Sequence, residues 1–421
     1  MSKSLKKEEI WLLHELSLFL TRTAADKEKD FIEADMEKGS VQITESDTHL
    51  DWDYILRLAK EHAILSFLYP LVERKEIPLN PARCIRETSI MTVQQNYRLF
   101  FLTHYLVTEM QKEQIPVIVL KGVATAGIYS VPELRKSGDI DLLLPISGDM
   151  ERAIAVLKKV GVSESHGHEV NHHQSWRTKE GIEIELHTML AEPFDDKWVN
   201  EYLAGLMPVF VGQIVWENIM GLEFPVLPEG YHAFYLLLHM LQHFLRSGFG
   251  LKLLCDWVVF WNREMSEQEI ECYRSQIRNC GLTGFSDMVT AVCVTYLGLD
   301  KRQAEKILFS QYKMSRQQEF MREILEAEEF GQSGQERMVI MRGTKIIDYL
   351  REFHHQMRLS FQKSSRYIIC WPVLWLLTFI RFCRNNRKIR GVSSFHVLKK
   401  ARERSRYVGE LQLFQKHTPG K

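Results

Sequence analysis

Asp139 and Asp141 stand one residue apart in DIDLLLP, residues 139–145. If this segment is a strand, side chains two apart share a face, about 6.6–7 Å from each other along the chain. Carboxylates held that way can bridge a hard divalent cation, or two cations about 3.5–4 Å apart. Ile140, Leu142 and Leu144 would point the other way and anchor the strand. Two neighbouring negative charges on a central strand are costly unless something positive offsets them. That cost is the physical case for a metal. In IEIELH, residues 182–187, Ile182, Ile184 and Leu186 alternate with Glu183, Glu185 and His187. Should this strand lie beside the Asp139 strand, one of its glutamates completes a three-carboxylate cluster. Such a cluster suits two-metal chemistry, with one metal activating a hydroxyl and the other holding a triphosphate and its leaving group.

Lys121 and Gly122 end the run IPVIVL and open a helix, where a glycine lets backbone N–H groups approach a phosphate. Arg135 and Lys136, just before the aspartates, carry charge suited to phosphate. His187 adjoins the glutamates and is a candidate for contact with the site. His166, His168, His172 and His173 cluster without a cysteine or a regular ligand spacing, so they read as a polar loop and strand before a zinc site. His239 and His243 share a helix face, and the MLQ between them excludes the HExxH pattern. They either pack between helices or close over a nucleotide, with His243 and Arg246 toward phosphates. Asp256, after an apolar run, reads as structural.

The elements that must position these residues follow from periodicity. Residues 8–24 predict a helix with Ile10, Leu13, Leu16 and Leu20 on one face, and the spacing is helical again from Trp52 to Val72 and over 83–113. Residues 25–48 read as a loop or weak helix. IPVIVL (115–120) and DIDLLLP are short β-branched or apolar runs typical of buried strands. A helix is expected over 149–160, capped by Ser147 or Asp149. Strands 171–178 and 182–188 flank the turn Lys179-Glu180-Gly181. After residue 200 the pattern is helical, with Pro225 and Pro228 introducing YHAFYLLLHMLQHFL and a Gly248/Gly250 turn preceding LKLLCDWVVFWN. Further helices fill 266–335.

The whole phrase IPVIVLKG, then Tyr129, Arg135, GDIDLLLP and the ELH of residues 185–187 resembles the bacterial uncharacterised nucleotidyltransferase family, within the DNA polymerase β-type superfamily. WDYILRLAKEHAI, LPEGYHAFYLLLHMLQHF and LKLLCDW extend the likeness over about residues 50–265. The resemblance implies an α+β fold: a nucleotidyltransferase-type α/β core with a mixed sheet, flanked by N-terminal and C-terminal helical regions. The expected divisions are a helical region 1–100, a catalytic core 101–200, a helical domain 201–340 and a basic, aromatic tail 341–421. The resemblance further implies a metal-dependent transfer of a nucleoside monophosphate from an NTP to a hydroxyl or phosphate, with release of pyrophosphate. Asp139, Asp141 and Glu185 would be the catalytic metal ligands for Mg2+ or Mn2+, Glu185 because it directly precedes Leu-His. The superfamily's Gly-Ser or Gly-Gly turn is Gly122-Val123 here, which shifts triphosphate contact to Lys121, Gly122 and Arg135, with His187 nearby. The acceptor is open among a small molecule, a sugar phosphate, an RNA end and a protein.

The chain has 421 residues, and its 54 basic and 54 acidic residues cancel, which excludes a globally basic nucleic-acid coat. Yet residues 381–421 hold twelve basic residues and two acidic ones. The apolar run YIICWPVLWLLTFI, residues 367–380, is shorter than the ~20 residues a membrane span needs and contains Pro372. Upstream, Ile346, Leu350, Phe353 and Met357 form a helical stripe. With Trp371, Trp375 and the arginine run, the segment fits either peripheral contact with an anionic membrane or a final helix packed on the protein. Seven dispersed cysteines without a CxxC pair read as reduced thiols. The expected location is cytoplasmic, with peripheral membrane contact through the tail as the variant. Two rival functions are a nucleotide-binding module without turnover and a membrane-peripheral adaptor acting through the tail.

Overall fold

The acids sit where helices from both ends of the chain meet one mixed sheet. The structure, a computed structural model, describes residues 4–21, 50–164, 173–194, 196–246, 248–310, 314–326 and 367–390, and positions 354, 357, 358, 361, 411, 413 and 414. The expected loop 25–48 and His166, His168 and His172 lie outside the described residues.

Helix α1 (Lys7–Leu20) buries Leu12, Leu13, Leu16, Phe19 and Leu20, whereas Ile10, expected inside, is exposed. The continuous helical pattern of 52–72 is broken. Asp51 caps α2 (Trp52–Glu61) by accepting from the Tyr54 N–H at 3.0 Å, and Ala63 then takes a φ of 55°. A 3-10 turn (Leu65–Leu68) and α3 (Tyr69–Glu73) follow. Helix α4 (Leu79–Lys112) runs unbroken through residue 100, so the expected division there falls inside one helix.

Strand β1 (Ile118–Val119) leads through the one-turn helix α5 (Val123–Ala126) to β2 (Asp139–Leu143). Helix α6 (Met150–Lys159) crosses over to β3 (Ser163–Glu164), β4 (His173–Arg177) and β5 (Glu183–His187). Neither expected residue caps α6 with its side chain, and Asp149 instead accepts from Arg152 at 2.5 Å. The strand order is β1-β2-β5-β4-β3, with β2 parallel to β5 and the other pairs antiparallel. The sheet is therefore mixed, as expected. Ile140, Leu142, Leu144, Ile184 and Leu186 bury one face against a core shared with Leu106, Val107 and Met110 of α4 and Val156 and Leu157 of α6. Each such side chain contributes about 1.5–3 kcal/mol, enough together to hold a charged opposite face in place.

After α7 (Lys197–Val211) the chain departs from the all-helical expectation. Strands β6 (Val215–Ile219) and β7 (Leu222–Val226) form a hairpin about Met220-Gly221, both with positive φ. Positive φ at both turn residues matches strand twist. Pro225, expected to introduce a helix, lies within β7. Phe224 and Val226 complete the core under the sheet, and Ile219 presses on Gly127, where a Cβ would lie 2.6 Å from its Cδ1.

Helices α8 (Glu229–Arg246), α9 (Leu251–Trp261), α10 (Glu267–Asn279), α11 (Thr283–Tyr296), α12 (Lys301–Ile307) and α13 (Met314–Leu325) then follow. Their apolar faces share one buried cluster with α1, α2 and the 3-10 turn, so the two flanking helical regions have a common core. After a 3-10 turn (Ile368–Cys370), α14 (Trp371–Arg390) is the last described helix. Among the described residues no helix is long and apolar enough to cross a membrane. Of the expected stripe before it, Met357 is buried and Ile346, Leu350 and Phe353 lie outside the described residues.

One buried ion pair fastens α9 to the sheet unit. Arg135 donates from Nε to Asp256 Oδ1 and from Nη2 to Oδ2, both at 2.7 Å, and the Tyr129 hydroxyl donates to Oδ1 at 2.7 Å. Arg135 is 4% exposed, so losing its partner would strand a cation in the core. Asp256→Ala is expected to lower the unfolding free energy by about 3–5 kcal/mol in chemical denaturation. The double variant Asp256→Leu/Arg135→Met should recover much of that loss.

Candidate active site

The parallel pairing of β2 with β5 sets Asp139 opposite Glu183, Asp141 opposite Glu185 and Leu143 opposite His187. Alternation puts the apolar residues of both strands in the core and the acids on the other face. Asp141 is 0% exposed. Its Oδ1 lies 3.0 Å from His187 Nε2 and 3.2 Å from Lys121 Nζ, and His187 Nε2 is 3.3 Å from Glu185 Oε2. Lys121 Nζ also donates to Asp139 Oδ2 at 3.0 Å. The ammonium thus lies against both aspartates.

Gly122 makes this approach possible. Its φ of +62° and ψ of −105° suit a residue without a Cβ, and an added Cβ would lie 3.1 Å from the Asp139 carbonyl oxygen. The helix expected to open there is α5, a single turn. Arg135, expected at the triphosphate, instead points its guanidinium at Asp256, with Nη1 also donating to Ser137 Oγ at 3.1 Å.

The charges set one another. Burial and the neighbouring Asp139 push the Asp141 carboxyl up, against the pull of Lys121 and His187. Burial would raise Asp139 too, but the Lys121 charge and hydrogen bond outweigh it and hold it low. Burial would lower Lys121, yet Asp141 and Asp139 keep it well above the usual lysine range. Burial would likewise lower His187, but its hydrogen bonds to Asp141 and Glu185 outweigh that and raise it to about 9.

The acidic face opens on a cavity of about 490 Å³. Across from it stand Tyr235, His239, Gln242 and His243 of α8 and Lys252 and Leu253 of α9. Tyr235, His239, Gln242 and His243 fall at i, i+4, i+7 and i+8, one face of the helix. The His239 and His243 rings meet edge to face at 4.5 Å, and Tyr235 stacks on His239 at 6.1 Å. Burial, then the neighbouring His243, hold His239 well below its ordinary range. Of the two readings of this histidine pair, the cavity wall is where it stands. The Arg246 side chain lies outside the described residues. Lys252 went unnoticed in the sequence, where a lone lysine after Gly250-Leu251 gives no signal. Asp256 lies at the same cavity and carries the structural role expected of it.

Whether the residues suit a divalent cation can be judged from Asp141 itself. Its Oδ2 is buried and has no hydrogen-bond partner among the described residues, and Asp141, Glu185 and His187 each offer a ligand atom within 4.8 Å of the others. A buried carboxylate oxygen without a donor is what a hard cation would satisfy. The residues fit.

The site is thus a mixed sheet that bears acids on two parallel strands, over a helix-walled cavity. The chain belongs to the uncharacterised nucleotidyltransferase family, which residues 48–298 match. No curated protein matches the chain. Among solved structures it is similar to an antigenic nucleotidyltransferase-like protein from Paracoccidioides brasiliensis, with 15% identity and a TM-score of 0.30 over 43% of this chain and 86% of that one.

The histidine gives a pH test. A His187 pKa raised to about 9 adds stability that is complete below its ordinary value of 6.5 and is lost as pH rises through about 9. Chelator-treated protein should show its denaturation midpoint falling across that window, and His187→Gln should remove the fall. An equal fall in the variant would assign it to another group.

Proposed function

We propose that the chain is a divalent-cation-dependent nucleotidyltransferase that moves a nucleoside monophosphate from an NTP to an acceptor hydroxyl or phosphate. The observation that carries this reading is the register of β2 on β5, which gathers Asp139, Asp141 and Glu185 on one face, with Asp141 Oδ2 buried and without a hydrogen-bond partner among the described residues. These three would hold Mg2+ or Mn2+, both of which favour carboxylate oxygens. Bound cations would supply Lewis-acid stabilisation of the triphosphate and activation of the attacking hydroxyl.

The remaining residues have roles of their own. His187 keeps Asp141 and Glu185 together. Lys121 sits where its ammonium can turn from the aspartates to a phosphate oxygen. Arg135 acts as a positioning residue from behind, through Asp256 and Ser137. Lys252 and His243, across the cavity, face the place where the triphosphate would lie. The acceptor oxygen attacks the α-phosphorus, and the bond from that phosphorus to the α–β bridging oxygen breaks. Pyrophosphate leaves with the electron pair, and a hydroxyl acceptor's proton passes to Glu185.

One observation favours a second reading, nucleotide binding without turnover: the Lys121 ammonium already lies against both aspartates. Incubation with each labelled NTP, Mg2+ or Mn2+ and an extract of candidate acceptors separates the two. Turnover predicts cation-dependent pyrophosphate release and a labelled acceptor. Asp139→Ala and Asp141→Ala should each lower the rate about a thousandfold or more, since several kcal/mol of charge stabilisation would go, while a cooperative melting transition, at a lower midpoint, shows that the fold is kept. Nucleotide binding with no pyrophosphate under any cation would give the site to the second reading, and full turnover by both variants would remove it from the chemistry.

A further inference from the structure

The described part of α14 has two unlike sides. Leu374 and Thr378 are buried, and Trp375 Nε1 donates to His354 Nδ1 at 3.2 Å, with the His354 ring 4.5 Å from that of Trp371. This side packs on the protein. The other side carries Val373, Leu376 and Ile380, spaced for one helix face, with Leu377 and Phe379 beside them and Ile369 in the 3-10 turn just before the helix. Ile369 is 90% exposed, Val373 60% and Leu376 59%. Monomeric surfaces seldom keep a contiguous apolar patch of this kind without a use for it.

The same helix then becomes basic. Arg381, Arg384, Arg387, Lys388 and Arg390 fill its second half, and no acidic residue occurs between Trp371 and Arg390. At 1.5 Å per residue the apolar half is about 15 Å long, half the hydrocarbon thickness of a bilayer.

We infer that α14, with the turn before it, is a shallow anchor that seats its exposed Val373, Leu376 and Ile380, and Ile369 of the turn, in the outer acyl region of an anionic lipid surface, with its arginine half among the headgroups. Burial of the aliphatic face needs an apolar phase, which a nucleic-acid backbone does not provide. The basic half needs negative charge close by, which anionic headgroups do provide. Tyr367, 68% exposed, adds an aromatic ring of the kind that favours the boundary between the two. A second copy of the chain fits less well. Parallel pairing of two such helices would set arginines against arginines, and antiparallel pairing would lay them on the partner's aliphatic side.

The test is flotation of the full chain with vesicles of phosphatidylcholine alone and of phosphatidylcholine mixed with phosphatidylglycerol. The chain is expected to float with the mixed vesicles, and less so at high salt, because the headgroup attraction is screened. Val373→Asp/Leu376→Asp/Ile380→Asp should cut recovery about tenfold or more, and Arg384→Glu/Arg387→Glu should act in the same direction. The substituted apolar positions are exposed, so the melting transition should not move. Equal recovery with the two vesicle types, or full recovery of the triple variant, would overturn the inference. So would a dimer in light scattering that the triple variant abolishes without any flotation, which would give the face to a second copy.

Discussion

Negative charge brought together in a dry place is the constraint on which the molecule depends. The β2–β5 register puts Asp141 beside Glu185 and Asp139 beside Glu183, and the sheet buries Asp141 completely. The effective penalty for an ion taken out of water is several kcal/mol. Lys121 and His187 supply the positive charge that offsets it, and each is itself held protonated by the acids it serves. The apolar undersides of the same two strands supply the rest of the anchorage. Removing any one member leaves another uncompensated, so the cluster behaves as a unit and not as a set of separable pairs.

That unit is kept in place from behind. Asp256, on α9, takes the Arg135 guanidinium and the Tyr129 hydroxyl, both from the segment between β1 and β2. The helix wall of the cavity and the acidic sheet face are therefore tied together by a buried bond, in addition to their packing. Arg135 thus serves the site by fixing the wall that faces the aspartates.

Much of this was legible in the sequence because alternation is a local property. DID and EIE show their faces without knowledge of their neighbours, and the resemblance located the third acid as Glu185, which the register sets beside Asp141. The helices α4, α8 and α9 announced themselves by apolar spacing. What stayed hidden depends on partners far apart in the chain. Arg135 before a DxD looks like a phosphate ligand, and the carboxylate it pairs with lies 121 positions later. The β6–β7 hairpin was read as helix because Pro225 suggested a helix start, while its Met220-Gly221 turn went unread. Lys252 has nothing around it to mark it, since its significance comes from the wall it joins. The break at Ala63 was missed because apolar residues recur at helical spacing on both sides of it.

The shared core of the two helical regions bears on how the chain is made. One side of α1 can settle early, on α2 and the 3-10 turn of residues 65–68, but another side packs on α9 and α11. Gly298, just past α11, comes so close to α1 that a Cβ there would meet Ser17 Oγ at 2.4 Å. Those partners leave the ribosome more than two hundred residues after α1 does. At about 5–20 residues per second, part of the α1 surface waits on the order of tens of seconds for its mate. During that interval the nascent chain displays leucines that the finished protein keeps dry.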